Sequence, residues 1–252
     1  MLTDDQIRSY HAPAGLLAGR VILVTGASGG LGGALAKACA AAGAQVVLSG
    51  RNVRKLETVY DAIVAAGSPR PSIAPLDLER ADASHYGALA DAVRNEFGRL
   101  DGLVHAAAAL GERAPIEHYD VVKWLKVMHV NVNAAFIVTQ ALLPLLRLSP
   151  DASVVFTTSG VSVQGRAYWG AYAASKFAVE GLMQVLADET DTVTNIRSNS
   201  VNPGRMRTPM RAAAYPGEVP DALPMPDQVL GPFLYLLGPE SRGITGRRFD
   251  AQ

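Results

Sequence analysis

The chain has 252 residues, 49% of them hydrophobic, and 23 basic against 23 acidic side chains, so its formal net charge is +0. That size and apolar content suit a single α/β domain with a large core. A balanced charge with no long run of one sign offers no phosphate-neutralising face, which excludes nucleic-acid binding as the main role.

Residues 1–18 read as an N-terminal extension, too polar at Asp4, Asp5, Arg8 and His11 for a signal peptide. VILVT (21–25) is the first strand and leads through a glycine-rich turn into a small-residue helix ending near Ala42. The single cysteine, Cys39, lies in that helix as a packing residue and rules out an internal disulfide scaffold. QVVLS (45–49) is a second strand, followed by the amphipathic stretch NVRKLETVYDAIVAAG. SIAPLD gives a third strand, with a helix after it that stops at Gly98. LDGLVHAA is a fourth strand. A long helix is expected from about His118 towards Arg147, kinked or ended by Pro144. Its apolar stretch AAFIVTQALLPLLRL is broken by Thr139, Gln140 and Pro144, short of the ~20 residues of a membrane span. SVVFTTS, the helix AYAASKFAVEGLMQVLADET and TNIRSNSVNP follow as strand, helix, strand. Residues 205–226, rich in proline and arginine and weak in periodicity, read as a mobile substrate flap. A short helix (227–238) and a strand near ITGRRFD close the chain.

Strands alternating with helices specify a parallel sheet covered on both faces. With right-handed crossovers, the economical arrangement is a doubly wound α/β Rossmann fold of seven strands, ordered near 3-2-1-4-5-6-7. Ligands of such sheets bind beyond the strand carboxyl ends. Thr25, Asp77, Ala106, Ser159 and Pro203 all fall there, so one crevice should hold them together. No internal repeat or linker divides the chain, and the five histidines show no metal-ligand spacing.

The turn TGASGGLG carries a dinucleotide cradle: Gly26 for the tight turn, Gly30 for close approach of a pyrophosphate, Gly32 for helix–strand packing. Ser28, Gly29 and Leu31 complete it, and the following helix N-terminus turns its amides towards phosphate. After the second strand no acid stands at 49 or 50 to hold a ribose 2′-hydroxyl. Arg51 instead suits a 2′-phosphate with help from Ser28, or is simply a solvated residue at the helix start; the first reading favours NADP(H) over NAD(H). Asp77 is placed to accept from an adenine amine, or simply to cap the next helix.

Tyr172 and Lys176 stand one helical turn apart, on the same face. A phenol near its ordinary pKa of ~10 is a weak base, and a neighbouring ammonium is expected to favour its phenolate. Ser159 would polarise a substrate oxygen while Tyr172 passes a proton and hydride moves to or from a nicotinamide. Each of these residues alone has a mundane explanation; their order along the chain is harder to reach by accident.

With TGASGGLG, the LDL around Asp77, VNVNAAF, Ser159, YAASK and NPGRMRTPM together, residues 18–250 resemble the short-chain dehydrogenase/reductase family. Within it the chain is most similar to the YciK-type oxidoreductases, through VNVNAAFIVTQALLPLL, GAYAASKFAVEGLMQVLADE and FDAQ. The resemblance implies a catalytic tetrad of Asn131, Ser159, Tyr172 and Lys176. It implies nucleotide contacts at Leu78, Ala106, Tyr172 and Lys176, and nicotinamide contacts at Pro203, Gly204 and Thr208. It also implies a homodimer or homotetramer built on the two long helices. One departure stands out: the family's NNAG is His105-Ala106-Ala107-Ala108 here. Losing the asparagine should remove hydrogen bonds that tie the strands, and the Ala108 methyl should crowd the cofactor ribose.

The substrate, a small carbonyl or alcohol, would meet Leu110, residues 162–169 and the stretch from Met206 to Leu223. Tyr168 and Trp169 suit an apolar ketone, aldehyde or secondary alcohol, or else pack the core. Arg205, Arg207 and Arg211 either recruit an anionic group or are simply solvated. Two rival functions stay open, an NADP-binding sensor that kept the fold and a sugar-nucleotide epimerase. The TGxxxGxG spacing and short C-terminal region speak against the epimerase.

Overall fold

The computed structural model describes residues 2–252. Seven parallel strands run β1 (Val21–Thr25), β2 (Gln45–Gly50), β3 (Ser72–Pro75), β4 (Gly102–His105), β5 (Ala152–Thr157), β6 (Ile196–Asn202) and β7 (Arg248–Asp250). They lie in the order 3-2-1-4-5-6-7, the topology read from the sequence. β1 is buried along its whole length because both faces are covered. Its side chains alternate strictly between two cores. Ile22 and Val24 join α2 (Gly30–Ala41) and α9 (Gly231–Leu237). Val21 and Leu23 join α4 (Ala83–Phe97), α6 (Ala134–Leu146) and α7 (Gly170–Thr190). α3 (Val53–Ala65) flanks the β2–β3 edge through Leu56 and Ile63.

Local chemistry sets the helix ends. Asn52 caps α3 by accepting from the Lys55 amide, and Gly98 ends α4 in the left-handed conformation at φ +76°. α4 is capped not by Asp77 but by Asp82, whose carboxylate takes the Ser84 and His85 amides. Asp77 instead folds its own loop by accepting from the Glu79 amide, which leaves it beside the cleft rather than inside a helix terminus.

The expected long helix is present as one run from Val121 to Leu146, with a change of hydrogen-bond ladder inside it. α5 (Val121–Met128) begins behind its cap Asp120, residues 129–133 form a π turn, and α6 continues to Leu146. Pro144 does not end it, since the proline removes only the amide that would bond the carbonyl of solvent-facing Gln140. The run Val121–Leu146 spans 26 residues and is long and apolar enough to cross a membrane, longer than the interrupted stretch suggested. Its inner face is spent on the protein core, with Val127, Val138, Leu142 and Leu145 all buried.

Residues 2–18 carry the short helix α1 (Asp4–Arg8) and pack on the domain: Ile7 and Leu17 are fully buried in the α9 core, and Tyr10 meets Tyr235 edge-on at 5.4 Å. A side chain at Gly231 would strike the Arg8 carbonyl at 2.6 Å, so the segment lies hard against α9. The 205–226 stretch, weak in periodicity, still carries local structure. Thr208 caps α8 (Pro209–Ala214), Arg211 pairs with Glu218, and Arg207 pairs with Asp221.

Candidate active site

The carboxyl ends of the strands open into one cleft of about 660 Å³, lined by Thr25, Asp77, Ala106, Ser159 and Pro203 together. Gly26 turns the chain out of β1 at φ +67°, and a Cβ there would sit 2.8 Å from the Ala107 backbone. A Cβ on Gly32 would lie 2.2 Å from the Gly26 carbonyl oxygen, so only glycine lets α2 start this close to the strand. Gly30 differs from expectation in what crowds it: a Cβ there would meet the Thr208 methyl at 2.9 Å, so the 205–226 stretch reaches the cradle. Gly29 precedes α2 with no side chain to cap it. The first-turn amides of Gly30, Leu31 and Gly32 therefore face the cleft with the positive end of the helix dipole behind them. This donor set fits a pyrophosphate.

At the adenosine end the wall carries Ser28, Arg51, Lys55, Asp77, Leu78, Glu79 and Lys126. Glu79 sits between two cations, 3.7 Å from Arg51 and 2.8 Å from Lys126. Neither Glu79 nor Lys126 was singled out in the sequence, because both read as ordinary surface charges.

At the other end, Ser159, Tyr172 and Lys176 line the wall with Pro203, Gly204 and Thr208. Ser159 lies two residues beyond β5 and accepts from the Val161 amide at 3.5 Å. Tyr172 and Lys176 share one face of α7, with the Lys176 ammonium 5.6 Å from the phenol ring centre. That ammonium is 3% exposed and donates to the Thr157 carbonyl at 2.6 Å. Burial lowers the Lys176 pKa to about 8, with Glu180 one turn on opposing the shift. The Tyr172 pKa is pushed up to about 12 by burial, with the Ser159 hydroxyl pulling the other way. The expected acidified phenol is thus absent from the ligand-free protein: removal from water outweighs the pull of the Ser159 hydroxyl. The phenol holds its proton at neutral pH.

Asn131 is the one tetrad candidate that does not line the cleft. It lies beneath, 3% exposed, in the π turn. Its amide donates to the Ala109 carbonyl and to Ser175 Oγ, each at 2.9 Å, and accepts from the Ala109 amide at 2.7 Å. It thereby pins the loop after β4 to α7. A π turn inserts one residue into the helical ladder, a feature frequent at functional sites.

The altered 105–108 segment is well tied, contrary to expectation. Thr25 Oγ1 accepts from the Ala106 and Ala107 amides at 3.2 and 3.3 Å. His105 stacks on Phe156 at 4.7 Å and lies 2.9 Å from Thr139 Oγ1 through Nε2. Thr139 gives its own proton to the Ala135 carbonyl, so His105 Nε2 is the donor. Burial, with Lys176 adding to it, drops the His105 pKa to about 3 and keeps the ring neutral. Ala108 lines the cleft.

Glu180 was also missed. It is buried one turn beyond Lys176 and accepts from Ser162 Oγ at 3.0 Å and Ser200 Oγ at 2.6 Å. Its i+4 spacing from Lys176, on a helix face otherwise apolar, was the available signal. Near the end of the chain, Gln252 donates to the carbonyls of Pro203 and Arg205, both at 2.7 Å, and so ties the C-terminal end to the loop after β6.

A Rossmann sheet, an uncapped glycine turn and a tyrosine–lysine pair in one cleft define a nucleotide-dependent oxidoreductase of the short-chain type. The family model for short chain dehydrogenases matches residues 20–218, and the chain belongs to that family. It is 47% identical over 243 residues to the uncharacterized oxidoreductase YciK of Escherichia coli K12, covering 96% of each chain. Among solved structures it is similar to a Pseudomonas syringae chain assigned as a short-chain dehydrogenase. That match has TM-score 0.95 and 55% identity, covering 96% of this chain and 98% of the other. A short-chain dehydrogenase of Escherichia coli CFT073, solved with NADPH, matches at TM-score 0.92 and 48% identity, covering 94% and 98%.

Proposed function

We propose that the chain moves hydride between NADP(H) and a carbonyl or secondary-alcohol substrate, with Tyr172 as the proton-transfer group. The observation that carries this is the placement of the Tyr172 phenol, beside Ser159 and Lys176, in the wall of the cleft that also holds the glycine turn. A nicotinamide bound there supplies or accepts the hydride. In reduction Tyr172 Oη gives its proton to the forming alkoxide while the Ser159 hydroxyl donates to the same oxygen. The pKa of about 12 suits that direction, because the phenol reaches neutral pH fully protonated. Lys176 places its positive charge beneath the phenol and holds a ribose hydroxyl with the N–H groups not spent on Thr157. Asn131 keeps the loop after β4 in place.

The NADPH-bound relative and Arg51 at the adenosine end support a phosphorylated nucleotide. The cradle would use Gly26, Ser28, Gly29, Gly30, Leu31 and Gly32, with Asp77, Leu78 and Ala106 around the adenosine. Pro203, Gly204 and Thr208 would face the nicotinamide. Substrate meets Leu110, Trp169, Met206, Met210 and Ala214, an apolar wall in which Trp169 packs 5.7 Å from the Tyr172 ring. Arg207 and Arg211 are neutralised by Asp221 and Glu218, which favours an uncharged apolar ketone, aldehyde or alcohol over an anionic carrier. Tyr168 is exposed and stands off this wall.

The same reading makes the chain one cytoplasmic nucleotide-binding domain. Its homodimer or homotetramer would be built on α5–α6 and α7, where Val122, Leu125, Phe136, Phe177 and Val185 are exposed. A binding-only sensor draws support from the Ala108 methyl in the cleft. NADPH consumption across a panel of ketones, aldehydes and quinones tests the proposal. Turnover of apolar carbonyls is expected; nucleotide binding with no turnover on any class favours the sensor.

A further inference from the structure

The charge cluster at the adenosine end has a consequence that neither the glycine cradle nor the tyrosine pair requires. Glu79 leaves the loop after β3 and points its carboxylate back across the cleft wall. One oxygen, Oε2, lies 3.7 Å from Arg51 Nη1; the other, Oε1, lies 2.8 Å from Lys126 Nζ. Arg51 directly follows β2 and Lys126 stands on α5, so the carboxylate bridges two cations from separate elements of the cleft wall. Arg51 is 68% exposed and has no other ion-pair partner among the described residues, whereas Glu79 is shared. The side chain positioned for a 2′-phosphate is therefore already facing an anion before any nucleotide arrives.

We propose that Glu79 sets how strongly this chain separates 2′-phosphorylated from unphosphorylated adenine nucleotides, by occupying Arg51 in their absence. The inference rests on Arg51 as the 2′-phosphate group of the preceding section. A 2′-phosphate must displace the carboxylate from Arg51 and then lie beside it, a like-charge cost that an unphosphorylated ribose does not meet. Lys126 moderates the cost by holding the other carboxylate oxygen. The Arg51 pair is solvent-exposed and weak on its own, so the effect is modest, about fivefold in affinity. It falls on one class of nucleotide alone, which makes Glu79 a specificity-determining residue rather than a general affinity residue.

The test is calorimetric titration of the intact protein with 2′,5′-ADP and with 5′-AMP, for the wild type and Glu79→Gln. Neither probe carries a nicotinamide, so the readout is independent of turnover. Glutamine keeps the shape and the link to Lys126, and the side chain is only half-buried, so folding is preserved. The 2′,5′-ADP affinity is expected to rise about fivefold while 5′-AMP stays within twofold, and the gain should shrink as salt rises. A ratio of the two affinities that stays within twofold of wild type, or falls, overturns the inference. A purely structural role for Glu79 would move both ligands alike and counts against it. Wild-type protein binding the two probes equally would sink the NADP(H) reading instead, and a preference that then appeared in Glu79→Gln would leave the role of Glu79 standing.

Discussion

Replacing Lys176 by methionine should stabilise the ligand-free protein at neutral pH, although it removes a group proposed for catalysis. Lys176 is 3% exposed and its pKa falls to about 8, first because burial penalises the ammonium and despite the opposing charge of Glu180. A lysine displaced this far from 10.5 costs on the order of 3 kcal/mol at pH 7, where both folded and unfolded chains carry the proton. The sign of the pH dependence follows. Between about pH 8 and 10.5 the unfolded chain still binds a proton that the folded one has released, so stability rises with pH across that window. Above it the penalty is gone, and below it the penalty is constant. Methionine fills nearly the same volume, and Glu180 keeps its bonds from Ser162 and Ser200 and its pairing with Arg248, while the Thr157 carbonyl loses its donor and offsets part of the gain. Urea unfolding of wild type and Lys176→Met at pH 7 to 10.5 isolates the effect, because other titrating groups cancel in the difference. The variant should be more stable by about 1 to 3 kcal/mol at pH 7, with the gap closing towards pH 10.5. A stability difference that is flat across this range would refute the reasoning.

Three further outcomes test the cradle. Gly32→Ala, whose methyl would lie 2.2 Å from the Gly26 carbonyl oxygen, should lose at least about 2 kcal/mol in urea unfolding together with most nucleotide binding. Ala108→Gly should tighten NADPH about threefold, a gain of under ~1 kcal/mol, in fluorescence titration; no change would clear the Ala108 methyl of crowding the ribose. Arg51→Asp should cut the preference for NADPH over NADH by at least about tenfold, and an unchanged preference would remove Arg51 from the 2′-phosphate site.

The sheet was legible because β1, β2 and β5 announce themselves as short β-branched runs, and strand ends alone brought Thr25, Asp77, Ala106, Ser159 and Pro203 to one crevice. What escaped depended on three-dimensional competition. Asp77 and Asp82 both precede α4, and only the reach of Asp82 to Ser84 and His85 decides which caps it. The π turn at 129–133 shifts the helical ladder by one residue without altering the apolar texture of the sequence. Spacing put Lys176 beside Tyr172, yet the sign of the phenol shift is decided by burial, which spacing does not carry. Loss of the family asparagine at 106 looked damaging because the hydroxyl that ties the segment, on Thr25, stands 81 residues earlier in the chain. Glu79, Lys126 and Glu180 were passed over for a related reason: a charge acquires a role only through the neighbour it meets in the fold.

Single-turnover NADPH oxidation with Tyr172→Phe, on whichever carbonyl the wild type reduces fastest, addresses the proton-transfer role most directly. Phenylalanine keeps the ring against Trp169 and removes only the oxygen. The rate should fall by about 10²- to 10⁴-fold while NADPH affinity stays within a few-fold. A variant that still reduces the carbonyl at close to the wild-type rate would contradict the account.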